Sequence, residues 1–211
     1  MSFSNRIAPL CALFLGVSLL SGCGGAPNAG AASTTNAPNK PWSLVSAESR
    51  IAFASIKADA VGETHSFQTV AGGVEADGTA TLTIDLASVE TNIDIRNERM
   101  RAMLFEVADH PTATLTTDID LSALEGLAVG ERQTIEADLN LSLHGLEAPL
   151  LADLTVTRLA PARVLVETTA PVFIAVEDFD LAEGLEQLRE VAGLPSITPI
   201  SPVTAALVFE Q

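Results

Sequence analysis

Tyrosine is absent from the 211 residues, and the chain has one Trp, two Cys and three His; eight Phe supply nearly all of its aromatic surface. Basic residues are scarce too: 11 Lys and Arg face 27 Asp and Glu, for a net charge of −16. A field of that sign repels phosphate backbones, so nucleic acid is not expected as a partner. There is no H-E-x-x-H, no cysteine cluster, no G-x-S-x-G elbow and no phosphate-binding glycine loop. None of His65, His110 and His144 stands at ligand spacing from another. No metal, catalytic residue or cofactor is therefore expected, and the chain reads as a non-enzyme. Convergence of distant side chains in space stays open.

Long apolar runs are equally scarce. Leu10 to Leu20 form the longest, too short for a membrane-spanning helix, which needs about 20 apolar residues. With Arg6 before it and small residues after it, this run has the layout of an export signal over residues 1–22. Leu20-Ser21-Gly22-Cys23 resembles the lipobox of bacterial lipoproteins, in which the cysteine is acylated and becomes the new N-terminus. An ordinary signal peptide with an incidental cysteine is the alternative. If Cys23 carries lipid and Cys11 leaves with the signal, no disulfide is available, and several acyl chains give stable anchoring where one would be marginal. Gly24 follows the cysteine, where an aspartate commonly retains lipoproteins in the inner membrane. The resemblance thus implies the periplasmic face of the outer membrane of a Gram-negative bacterium.

Residues 23–41 are rich in Gly, Ala, Pro, Asn, Ser and Thr and lack apolar periodicity, which predicts a tether with a reach of about 20 Å. Arg6 is the only charge in residues 1–22, so 10 basic and 27 acidic residues remain beyond it, a net charge of −17. Residues 42–211 are long enough for one domain with a substantial core.

That domain reads as mostly β. In 133–143, Ile135, Ala137, Leu139, Leu141 and Leu143 alternate with polar residues, and 79–86 and 112–121 repeat the pattern. Further strands are predicted near 50–60, 65–75, 149–158, 163–176 and 202–210, with turns at Asp77-Gly78, His144-Gly145 and Pro161. About eight strands with short connections must run antiparallel. They close into a barrel, which removes the edges, or form an open two-sheet sandwich.

Two segments carry helical periodicity instead. Met100, Met103, Leu104 and Val107 form a stripe in 94–109, capped by Asp94 or Thr91 and stopped at His110-Pro111. Leu181, Leu185, Leu188 and Ala192 share a face in 181–192, with Asp180 and Glu183 as a capping-box-like pair and Gly193 and Pro195 as stops. Residues 172–176, VFIAV, are apolar on both faces, which predicts a strand covered outside, by the second helix.

SVETNIDIRNERMRAMLFEVADHPTATLTT (88–117) resembles the central signature of the YceI-like family of bacterial periplasmic proteins. WSLVSAESRIAFASIK (42–57) resembles that family's opening strand, LNLSLHGLEAPL (139–150) its hairpin and FIAVEDFDL (173–181) its late segment, all in the family's order. Glu177 and Asp180 depart from the pattern, which usually has a basic residue and a glycine there, and 61–74 fits loosely. The resemblance implies an all-β, eight-stranded antiparallel lipocalin-like barrel with one or two short helices. It also implies a lumen for an isoprenoid lipid, a polyprenyl or quinone tail.

Under that expectation Phe53, Phe67, Leu104, Phe105, Phe173, Phe179 and Phe209 are candidates to line the lumen. Phe105 lies well off the helical stripe and would be exposed unless it plugs the barrel end or touches a ligand. Arg96, Arg99 and Arg101 are head-group candidates at the mouth; the alternative is that they pair with Glu98, Glu106 and neighbouring acids. A barrel filled solid by Leu, Val and Ile, acting as an envelope interaction protein, is the competing expectation.

Overall fold

The computed structural model describes residues 40–211. The expected signal segment, Cys23 and the tether up to residue 39 lie outside the described residues. Eight antiparallel strands follow one another around a closed ring. β1 comprises Trp42–Leu44 and Arg50–Lys57, and β2 comprises Val61–Phe67 and Val70–Val74. β3 is Thr79–Asp85, β4 Thr112–Asp118, β5 Arg132–Leu143 and β6 Leu146–Ala160. β7 comprises Arg163–Thr168 and Val172–Ala175, and β8 is Ile200–Glu210.

β8 makes the closure. On one side it pairs with β7, Val164 opposite Phe209 and Ile174 opposite Ser201. On the other it pairs with β1, Leu44 opposite Phe209 and Phe53 opposite Val203. The open sandwich is thereby eliminated. The narrowest seam lies between β4 and β5, where only Thr114–Thr116 and Asn140–Ser142 pair, supplemented by the Thr117 hydroxyl donating to the Asp138 carbonyl at 2.8 Å.

Local chemistry explains where the strands break. The predicted strand 163–176 is interrupted before Pro171, which has no N–H to give to a ladder. The predicted strand 65–75 starts earlier, at Val61, and kinks at Gln68-Thr69, whose N–H groups bond to Ser88 instead of a neighbouring strand. β5 and β6 are joined by two residues, His144 (φ 52°) and Gly145 (φ 79°), the left-handed pair that a type I′ hairpin turn requires. In β5 the alternation holds: Ala137, Leu139, Leu141 and Leu143 are buried inward.

Helix α1 (Asp94–Arg99) continues as a π turn over Met100–Leu104 and ends there, short of the predicted 109. The Phe105 N–H bonds to the Met100 carbonyl, so one turn consumes five residues and brings Phe105 round beneath Met100. A 3.6-residue period had placed it outside. Neither predicted cap acts: Ile93 precedes the helix without a side-chain bond, and the Thr91 hydroxyl donates to Asn97 Oδ1 at 2.6 Å. Helix α2 (Ala182–Val191) likewise starts without the predicted Asp180–Glu183 box. It ends in a Schellman pair, Gly193 N–H to Glu190 and Leu194 N–H to Arg189.

The two helices cover one end of the barrel. They meet at Gly184, where a Cβ would overlap the Met103 carbonyl and lie 2.9 Å from Leu104 Cα. No helix of the described residues is long and apolar enough to cross a membrane.

Candidate functional site

The barrel is hollow. A cavity of about 850 Å³ runs through it from Trp42, Leu124 and Arg158 at the turn end to Met100, Leu188 and Leu194 at the helix end. This volume is near the top of the range for small-molecule sites. Inward residues of all eight strands form its walls, among them Leu82, Ile84, Leu139, Leu141, Leu150 and Val156. The filled barrel is thereby excluded. The reason is compositional: aliphatic residues reach only partway to the axis, and the domain has few large rings with which to close the gap.

The turn end is held by Arg158. Its guanidinium lies 5.4 Å from the centre of the Trp42 ring and donates to the carbonyls of Leu124 and Pro161, each at 3.3 Å. The helix end differs. Ile93, Ile95 and Val191 line the cavity there and are also 45%, 52% and 42% exposed, so its mouth has an apolar rim.

Just inside that rim sits one polar part of the lining: Ser55, Lys57, Glu63, His65, Arg96 and Arg99. One Glu63 carboxylate oxygen accepts from Lys57 and from Arg96, both at 2.8 Å. The Lys57 hydrogen bond, with the nearby Arg96 charge, holds Glu63 below the usual glutamate pKa. Arg96 is further fixed by donating to the hydroxyl and the carbonyl of Thr91, at 2.9 and 2.7 Å. His65 is 4% exposed, with Nε2 2.9 Å from Ser55 Oγ; its buried Nδ1 has no hydrogen-bond partner. Burial, helped by the positive Arg96, pushes the His65 pKa down, so the ring is neutral near pH 7.

Of the predicted lining residues, Phe53, Phe67, Leu104, Phe105 and Phe209 face the cavity. Phe53 and Phe67 stack at 5.3 Å, Phe67 lies 5.8 Å from Phe105, and Phe53 lies 5.2 Å from His65, one continuous aromatic strip. Phe173 does not belong to it. Val172 and Ile174 point inward, so strand alternation turns Phe173 outward, 64% exposed, and no helix covers it. Phe179 is fully buried in the core leading into α2 but does not reach the lumen.

The three arginines separate. Arg96 and Arg99 reach the mouth, whereas Arg101 turns to the backbone carbonyls of Asn97 and Ala87 and leaves the lining. Arg96 pairs with Glu63 across elements; pairs with Glu98 or Glu106 do not occur among the described residues. Sequence reasoning missed His65, Arg158 and Trp42 as parts of the site. Inward parity with Phe53 and Phe67 was the available signal for His65.

The YceI-like domain family matches residues 42–199. A solved polyisoprenoid binding domain from Saccharophagus degradans, implicated in plant cell wall breakdown, is 41% identical and superposes with a TM-score of 0.79, covering 80% of this chain and 97% of that one. The crystal structure of Burkholderia cenocepacia BcnA, at 16% identity, TM-score 0.59 and coverage of 78% and 98%, shares the fold alone. No curated protein matches the chain.

Proposed function

Starting from the chain's membership of the YceI-like family, we propose that it binds an isoprenoid lipid, with the hydrocarbon tail in the lumen and the head at the helix end. The observation that carries this reading is the hollow, aliphatic cavity. Binding is burial of hydrocarbon at about 25 cal/mol per Å², without covalent chemistry. The S. degradans domain, described as polyisoprenoid binding, supports the choice of an isoprenoid over other apolar chains.

The polar groups suit a head that makes hydrogen bonds. A quinone carbonyl or a hydroxyl at His65 would satisfy a buried nitrogen that otherwise goes unpaired, and Arg99 adds a cation to the same cavity lining. The head therefore points to the mouth and the tail toward Arg158. Our reading further includes an anchored life: Cys23 acylated, residues 24–41 as tether, and the barrel on the periplasmic face of the outer membrane. A carrier so placed stays close to the bilayer that supplies or takes up its ligand.

Native mass spectrometry of the purified full chain tests the binding. A co-purifying or exchangeable prenyl lipid is expected; a protein that stays empty when offered polyprenol or ubiquinone-type lipid refutes it. Radioactive palmitate tests the anchor: Cys23→Ala should lose the label, and equal incorporation refutes it.

A further inference from the structure

The geometry points to a second site, outside the lumen: a divalent transition-metal site made by Glu106, His110 and His144. Glu106 and His110 are near neighbours in the sequence and His144 is distant, yet each offers a ligand atom within 4.8 Å of the others. The histidine rings lie 4.3 Å apart, centre to centre, and His144 Nε2 is 3.1 Å from Glu106 Oε2.

Two tight turns bring them together. Glu106, at φ 45°, follows the π turn and Phe105, and its carbonyl accepts from the N–H groups of Asp109 and His110, both at 2.9 Å. His144 occupies the left-handed first position of the β5–β6 hairpin. Gly145 leaves room beside it; a Cβ there would press within 3.3 Å of the His110 ring. The cluster thus joins the hairpin to the end of the helix that presents Phe105 to the cavity.

Two imidazoles and one carboxylate, with a free position for water, are a donor set for Zn²⁺ and its neighbours. Calcium and magnesium, which need about six oxygens, do not suit it. A tetrahedral ion with bonds of about 2.0–2.1 Å wants its ligand atoms about 3.4 Å apart. The Glu106–His144 pair is already closer than that, so side-chain rotation of about an ångström completes the set.

Zn²⁺ itself is the probe, titrated into the tag-free full chain after chelator treatment and followed by native mass spectrometry and calorimetry. One ion per chain is expected, with at least tenfold weaker binding in His144→Ala and in His110→Ala and no stoichiometric ion in the double variant. Thiols of Cys11 and Cys23 are common to all these proteins and cancel. Equal binding by wild type and double variant, or none by wild type, overturns the site. Should the double variant fail to fold, the imidazole proton resonances of the wild type decide. Zn²⁺ should move those of His110 and His144 and leave His65 in place; a different pattern overturns the site.

Discussion

The two ends of the barrel are built from different materials. At the turn end, Arg158 spans the opening between the Trp42 face and two backbone carbonyls, so both of its terminal guanidinium nitrogens have partners inside the protein. At the helix end, His65 Nδ1 is left without a partner and Ile93, Ile95 and Val191 stand half exposed around the mouth. A satisfied polar group closes a wall, whereas an unsatisfied one beside exposed apolar surface marks where something else is received. The difference teaches that the lumen has a direction.

The contrast can be broken or sharpened by substitution. Leu141→Trp places a large ring across the mid-lumen between the two ends. It should weaken uptake of a polyprenyl lipid more than a hundredfold, about 2.7 kcal/mol, in a fluorescence-displacement titration, while the fold survives because the space is empty. Phe179→Ala should cost about 3–5 kcal/mol in a denaturant melt, as a fully buried ring beside α2 leaves a void. A loss under 1 kcal/mol would mean that the helix end is not packed as described.

Arg158→Met should cost about 1 kcal/mol, the scale of a partly exposed cation–π contact and its hydrogen bonds. It should let ligand leave by the turn end, seen as a faster off-rate. An unchanged off-rate would show that end to be no barrier. His65→Phe should weaken a lipid with a quinone or hydroxyl head by about tenfold and leave a head-less hydrocarbon unaffected, since about 1.4 kcal/mol is one hydrogen bond. Equal effects on both ligands would place the head elsewhere.

The smallest effect is a pH dependence. The folded pKa of His65 is below its ordinary value of 6.5, so on acidification the unfolded chain takes up that proton first. This contribution to stability is complete above about pH 6.5 and is lost as pH falls through the lowered folded value. The melting temperature of the wild type should fall in that window, and His65→Phe should lose that part of the fall.

Much of the barrel was legible because period-two burial is written residue by residue. Ile135 through Leu143 alternate in the sequence and alternate in the wall. Legibility failed where a rule had no phase information. VFIAV is apolar at every position, so nothing in it told Phe173 from Ile174. The helical stripe assumed 3.6 residues per turn, so periodicity gave no reason for Phe105 to face the lumen; the resemblance made it a candidate, and one π turn brings it there. Predicted helix caps failed at Thr91 and Asp180 because side chains of the helix itself, Asn97 and Arg96, claimed one and a left-handed backbone the other.

By itself the sequence determined the strand count, the inward faces wherever apolar and polar residues alternate, the two helical segments and the family, since these depend on near neighbours and on order along the chain. Closure through β8, the hollow axis, the directed mouth and the meeting of Glu106, His110 and His144 were decided by the tertiary structure alone. Each depends on distances between residues far apart in the chain, and no local periodicity encodes how far a side chain stops short of the one opposite.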